Sequence, residues 1–314
     1  MPRLRRILPP MLLSPLKVPA RMRPAPIERR FQGTGATLAY FEWAGKPEAP
    51  ALLLVHATGF HARVWDRLVQ ALPEAWRVLT VELRGHGRSS KEGPFDRWEY
   101  YGQDLTELAD HLGLEGAIAA GHSMGGWALC HAALARPQAF RRLVLIDPTI
   151  NSPEFYGTDR YPDMKTPADH PASRRRNEWN DWRAFYDRLH DREPYSLWQP
   201  EVLEDYCRHG LLPAPSGEGF VLACPPLVEA AVYRNSWRAG LHERLRKIEA
   251  PVTILRARRR QLPRLGQTDY AGSPTWERLW ELFRQAEDVY LPDYTHFLPM
   301  QNPPLVAGYI AAAG

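Results

Sequence analysis

The feature that most constrains this chain is six residues long. Gly121-His122-Ser123-Met124-Gly125-Gly126 stands between a run of small apolar residues, Ala117 to Ala120, and a helix-like stretch, Trp127 to Ala135. A strand that passes into a helix through so few residues must turn sharply, and a serine at the apex takes a backbone conformation that L side chains disfavour. Glycines on both sides remove the side chains that would collide there. The same turn lifts the Ser123 hydroxyl above the sheet and leaves the Met124 backbone N–H, at a helix N-terminus, where negative charge would develop on an attacked carbonyl oxygen.

The rest of the chain supplies the sheet that such a turn requires. Ala51 to Val55, Val78 to Val81, Leu143 to Ile146 and Val252 to Leu255 are continuous apolar runs of the kind buried on both faces of a parallel sheet. Between them lie helix-like segments; in one, Tyr101, Leu105, Leu108 and Leu112 recur at i, i+4, i+7 and i+11 and share one helix face. This alternation predicts an α/β fold with a doubly wound, mostly parallel sheet. It stops after Ile146 and resumes at Val252. The core is therefore expected over residues 35–148 and 251–314, with an inserted, mainly helical cap over 149–250 that includes helix-like pieces at Glu178 to Leu189 and Pro200 to His209.

Two further elements fit the serine. His56-Ala57-Thr58-Gly59-Phe60 follows the first apolar run and can lend a second backbone N–H, that of Thr58, to an oxyanion hole. His296 follows the strand-like Val289 to Leu291 by a short loop and precedes a final helix, Pro304 to Ala312. It is the candidate general base, because a serine hydroxyl is a weak nucleophile unless an imidazole takes its proton. His56, His61 and His86 are read as loop-tying histidines.

Together, the His56–Phe60 loop with Trp65, the loop Leu83-Arg84-Gly85-His86-Gly87-Arg88-Ser89, the GHSMGG turn, the run ending in Asp147, and Tyr294-Thr295-His296-Phe297-Leu298-Pro299 resemble the α/β-hydrolase superfamily, and its cap-bearing members in particular. The resemblance covers about residues 35 to 312. It implies a serine nucleophile, an acid and a histidine in that chain order. In most members a carboxylate follows the strand equivalent to Val252 to Leu255, but here that place reads Arg256-Ala257-Arg258-Arg259-Arg260-Gln261. Two acids remain. Asp147 ends the strand Leu143 to Ile146, a position that a minority of the family uses; Asp269 lies on a longer loop ahead of the helix-like Pro274 to Gln285. Asp147 is preferred, because a strand end holds a side chain more rigidly than a long loop, although an aspartate before Pro148 also suits a plain turn. Glu82 ends a strand too, in a loop with an architectural role.

The cap segment carries Phe155, Tyr156, Trp179, Trp182, Phe185, Tyr186, Trp198, Tyr206, Tyr233 and Trp237, which points to a small apolar or aromatic ester or lactone as substrate. Arg174-Arg175-Arg176 reads as a solvated charge run. The leading expectation is a serine hydrolase working through an acyl-enzyme. The alternatives are a carbon–carbon bond hydrolase of ring-fission products, for which a cap arginine would bind an acidic group, and a ligand-binding receptor on a hydrolase scaffold.

Charge and cysteine content narrow the setting. The first 30 residues hold eight Lys and Arg against one Glu in a chain of formal net charge +4, so the remainder is net negative and lacks the broad basic face of a nucleic-acid binder. That Pro-rich basic arm, residues 1–34, is expected to be an extended lead-in; three prolines interrupt the only signal-peptide-like run. Cys130, Cys207 and Cys224 form no CxxC pair, so neither a disulfide framework nor a zinc site is expected, and a reducing, cytoplasmic setting follows. No metal-ligand cluster, phosphate loop or nicotinamide fingerprint is present, and no cofactor is expected. No run reaches the roughly 20 apolar residues of a membrane-spanning helix. A homo-oligomer is compatible with the sequence.

Overall fold

The apolar runs form strands because both of their faces are covered. In the computed structural model, which describes residues 22–157, 159, 161–261 and 269–313, strand β3 (Ala51–Val55) buries Leu53 and Val55 in one apolar cluster and Leu52 and Leu54 in another. This is the two-residue period of a pleated strand with a core on each side. Strand β5 (Ala117–His122) does the same, with Ala119 on one face and Ile118 and Ala120 on the other.

The remaining strands of the sheet are β1 (Ile27–Gln32), β2 (Thr37–Trp43), β4 (Arg77–Val81), β6 (Phe140–Ile146), β10 (Val252–Ala257) and β11 (Ala286–Leu291). Their order is β1-β2-β4-β3-β5-β6-β10-β11. β1 and β2 pair antiparallel with their neighbours, and every pairing from β4 to β11 is parallel. Helix α1 (Asp66–Gln70) and the last helix (Pro303–Ala311) cover one face; α2 (Glu99–His111) and α3 (Met124–Ala135) cover the other. On α2 it is Tyr101, Leu105 and Leu108 that turn inward, as their spacing requires.

Between β6 and β10 lie helices α4 (Trp182–Leu189), α5 (Pro200–His209) and α6 (Pro226–Arg234) and a second, three-stranded sheet of β7 (Glu178–Trp179), β8 (Leu211–Pro213) and β9 (Phe220–Leu222) in the order β7-β9-β8. Three expectations change. The stretch taken as a lead-in arm up to residue 34 already enters the sheet at Ile27, as an edge strand whose exposed, charged residues give no apolar signal. Residues 1–21 of that arm lie outside the described residues. Glu178 to Leu189 is not one helix: Glu178–Trp179 pairs with β9, and Asp181 caps a helix starting at Trp182 by accepting from the Ala184 N–H at 2.8 Å. Pro274 to Gln285 holds only a short 3-10 turn, Leu279–Leu282. Its backbone is tied elsewhere, since the Trp276 N–H donates to the Ile150 carbonyl at 2.9 Å, just beyond the end of β6.

Candidate active site

Ser123 sits at the turn between β5 and α3 with φ 57 and ψ −120, the strained conformation that the glycines on either side permit. Its N–H donates to the Ile146 carbonyl at 3.0 Å, which pins the turn to the end of β6. The Ser123 Oγ lies 3.0 Å from His296 Nε2, and His296 Nδ1 lies 2.6 Å from Asp147 Oδ2. Serine, histidine and aspartate thus form one hydrogen-bonded relay, drawn from the ends of β5, β11 and β6.

Asp147 is fully buried, and its remaining oxygen is held by the Ala257 N–H at 3.0 Å, the Ser273 hydroxyl at 2.5 Å and the Thr275 hydroxyl at 3.3 Å. Burial opposes its charge, but the hydrogen bonds from His296, Ser273 and Ala257 outweigh burial and hold the carboxyl below the usual aspartate range. The last residue of β10 thus supplies a backbone donor to an aspartate that directly follows the neighbouring strand β6. Asp269 is engaged elsewhere, with the Arg258 guanidinium at 2.8 Å and the N–H groups of Gln261, Ala271 and Gly272.

The loop after β3 is clamped by two buried histidines. His56 Nε2 accepts from the Leu83 N–H at 3.1 Å, and His86 Nε2 accepts from the Gly59 N–H at 3.0 Å. His61 contacts the Tyr206 carbonyl at 3.0 Å, and Glu82 accepts from Arg88 at 3.0 Å, so these residues serve the loops, as their sequence context suggested. With the Gly59 N–H donated to His86 and the Phe60 N–H to the Ala57 carbonyl, the Thr58 N–H is left without an acceptor among the described residues. The Met124 N–H opens the first turn of α3, where helix N–H groups have no intrahelical partner. The Thr58 side chain reaches Met124 Sδ at 3.5 Å, so the two residues are in contact.

A cavity of about 360 Å³ opens over Ser123 and His296, the size of a small-molecule site. The cap aromatics divide. Phe155 and Tyr233 line it, Trp179, Phe185 and Trp198 are buried in a core cluster with the sheet, and Tyr206 belongs to that cluster while also reaching the cavity wall. The arginine run divides too: Arg174 and Arg176 are exposed, but Arg175 turns inward to the cavity wall, pairs with Glu229 and donates to the Tyr206 hydroxyl at 3.2 Å. The expectation of a wholly solvated run fails there, because nothing in three consecutive arginines says which one the chain turns inward. Thr149 was also not foreseen. Its hydroxyl lies 2.9 Å from the Ser123 Oγ, and its N–H donates to the Ser123 carbonyl at 3.1 Å. Its only sequence signal is that it lies two residues beyond Asp147.

Among the described residues no cluster of three or more His, Cys, Asp or Glu is arranged to hold a metal ion, and no helix is long and apolar enough to cross a membrane. The three cysteines are free and buried.

A sequence model of the alpha/beta hydrolase family matches residues 52–308. The chain belongs to that family. Within it, 105 residues are 37% identical to lipase LipV of Mycobacterium tuberculosis, over 33% of this chain and 40% of that protein. A stretch of 116 residues is 32% identical to the pimeloyl-[acyl-carrier protein] methyl ester esterase of Vibrio campbellii, over 36% of this chain and 41% of the esterase. The chain thus spans about two fifths of the length of these relatives. Among solved structures, this hydrolase-family chain is similar to E-2-(acetamidomethylene)succinate hydrolase, with a TM-score of 0.71 at 22% identity over 91% of this chain and 98% of that one. It is also similar to the enol-lactonase of Burkholderia xenovorans LB400, with a TM-score of 0.64 at 19% identity over 91% and 99% of the two chains. At these identities the structural likeness concerns the fold.

Proposed function

We propose that this protein is a cofactor-independent serine hydrolase that cleaves a carboxylic ester or lactone through an acyl-enzyme. The observation that carries the reading is the Ser123–His296–Asp147 relay, whose Ser123 and His296 line a cavity of small-molecule size. Ser123 Oγ attacks the carbonyl carbon as its proton passes to His296 Nε2, and the carbonyl oxygen turns its new charge towards the N–H groups of Thr58 and Met124. Asp147 fixes the imidazole tautomer and stabilises the imidazolium. The imidazolium then gives its proton to the departing alkoxide, and the C–O bond breaks. Water, deprotonated by the same imidazole, attacks the acyl-enzyme, and Ser123 recovers its proton as the acid departs. Residues 149–250 act as a cap that roofs the cavity, and Asp147 rather than Asp269 is the acid.

The relatives named as lipase and methyl ester esterase support ester chemistry. The test is turnover of a short-chain p-nitrophenyl ester by the wild type and by Ser123→Ala, with circular dichroism to confirm that the variant folds. The variant should lose turnover; equal rates in the two would overturn the mechanism. Labelling of Ser123 by a fluorophosphonate separates this reading from a receptor with no reactive serine. A ring-fission diketone tried beside an ester and a lactone separates it from carbon–carbon hydrolysis.

A further inference from the structure

Among the described residues of the inserted segment, Arg175 is the only arginine or lysine in the lining of the cavity that holds Ser123. It follows the short turn Pro171–Arg174, and although packed inside the protein it keeps 25% of its side chain accessible, because it forms part of the wall of the cavity that also holds Ser123 and His296. Its Nη1 is paired with Glu229 on α6 and its Nη2 donates to the Tyr206 hydroxyl at 3.2 Å. A guanidinium carries five N–H donors, and these two partners use two of them. Both members of the pair line the cavity, but Glu229 keeps only 7% of its side chain exposed against 25% for Arg175, so more of the cation than of the anion is accessible.

The surroundings make this end of the cavity polar. The hydroxyl-bearing rings of Tyr195, Tyr206 and Tyr233 line it beside Arg175, and Arg260 adds a second cation on the wall. Glu229 is the only carboxylate among the described lining residues. A neutral acyl chain would leave the free guanidinium donors desolvated and unpaired, which is costly in an enclosed site. An oxyanion presented to the planar fork would satisfy two of them at once. The pair also touches the loop that carries Thr58: a Cβ at Gly59 would lie 2.8 Å from Glu229 Oε1 and 3.5 Å from Arg175 Nη1. The cation is therefore anchored to the same frame as the nucleophile, at a fixed position relative to the bond to be cleaved.

We infer that Arg175, held by Glu229 and Tyr206, is a carboxylate-recognition subsite, and that the preferred substrate is a half-ester or lactone bearing a free carboxylate remote from the scissile carbonyl. This inference rests on ester hydrolysis at Ser123 and narrows its substrate class.

The experiment compares kcat/KM for monomethyl esters of C4 to C7 dicarboxylic acids with the uncharged dimethyl esters of the same acids. The wild type should favour the half-ester at one chain length by about 30-fold or more, since charge-assisted hydrogen bonds of this kind carry factors of about 10 to 100 each. A sharp length optimum is expected because the guanidinium is fixed; a uniform preference at all lengths would point to diffuse attraction by surface arginines and would overturn the subsite. In Arg175→Gln the ratio of half-ester to diester should collapse towards one, while Arg174→Gln, on the exposed neighbour, should keep it. A role in folding alone would lower both substrates together and leave the ratio intact, which would also count against the inference. Breaking a buried pair can unfold a protein, so a measurement on the wild type accompanies the variants. The free dicarboxylate of the optimal length should slow fluorophosphonate labelling of Ser123 at least tenfold at millimolar concentration, and the diamide of the same length should not. Labelling at Ser123 with no such protection would refute the subsite while sparing the hydrolase reading. No labelling and no ester turnover, with dicarboxylate still raising the melting temperature, would sink the hydrolase reading and retain the subsite.

Discussion

The Thr149 hydroxyl stands 2.9 Å from the Ser123 Oγ, which also lies 3.0 Å from His296 Nε2. With His296 Nδ1 donating to the Asp147 carboxylate, Nε2 is the acceptor for the serine proton. The hydrogen in the Ser123–Thr149 contact therefore comes from Thr149. A bond donated to Oγ from Thr149 leaves the single hydroxyl hydrogen of Ser123 directed at His296 Nε2, so the contact acts by holding the nucleophile in the orientation that attack requires.

Thr149→Val keeps the shape and removes the donor. We expect phosphonylation of Ser123 by a fluorophosphonate to slow by about tenfold, consistent with one hydrogen bond of about 1 kcal/mol or somewhat more, and Thr149→Ser to restore most of the rate. Stopped-flow or gel-based labelling rates read this directly. If valine labels as fast as threonine, the contact is incidental.

The two aspartates make a sharper pair. In serine proteases the amide at the acid position lowers turnover by ~10⁴-fold through the wrong imidazole tautomer, and Asp147→Asn should behave in that range. Asp269→Asn releases Arg258 and several backbone N–H groups of its own loop. It should alter local stability with far less effect on kcat. A reversal of the two results would move the acid to the loop.

How much of this was legible in the sequence follows from how local each signal is. The buried strands announced themselves because both faces are apolar, and the Ser123 turn because its glycines are adjacent in the chain. The edge strand β1 was missed, since its side chains face solvent and main-chain pairing with β2 holds it in place. The choice between Asp147 and Asp269 was open because it depends on which loop faces His296, a contact across 149 residues in one case. Ser273 and Thr275, which hold the other carboxylate oxygen, carry no spacing signal at all. Arg175 was indistinguishable from its neighbours until the chain path showed which arginine turns inward.

The glycines of the turn carry a stability cost that can be measured. A Cβ at Gly125 would lie 2.5 Å from the Val55 carbonyl oxygen and 2.6 Å from that of His56, and one at Gly121 would lie 2.6 Å from the Gly125 carbonyl carbon. All of these are backbone atoms, so neither methyl can be accommodated by rotating a side chain. Gly125→Ala should push α3 off the end of β3 and cost about 1–3 kcal/mol or more, as overpacking does, with loss of esterase turnover because Ser123 moves too. Urea unfolding checks the first and a p-nitrophenyl ester the second. A fully active alanine variant of unchanged midpoint would contradict the tight helix–strand approach.

The last expectation concerns acid. Burial pushes His86 down to about 4 and His122 down to about 3, so both are neutral in the folded protein throughout the mildly acidic range. For His86 the geometry agrees, because its Nε2 must stay unprotonated to accept from the Gly59 N–H. In the unfolded chain an imidazole titrates near ~6.5. Below that value the unfolded state binds the extra proton, so stability falls as pH drops, and it keeps falling until the folded-state value is reached. The slope is about 1.4 kcal/mol per pH unit for each such group. Asp147 acts in a different window: its lowered carboxyl contributes stability above the unfolded value of ~3.9 and loses it only below that. Buried carboxyls that are pushed upward, such as Glu82 and Asp104, oppose the histidines, so the contribution of one imidazole is best isolated by difference. His86→Gln can still accept from the Gly59 N–H but cannot protonate. Urea unfolding at pH 7 and pH 5 should show a loss in the wild type that exceeds the loss in His86→Gln by about 2 kcal/mol. Equal losses in the two proteins would mean that His86 gains its proton without unfolding the loop it clamps.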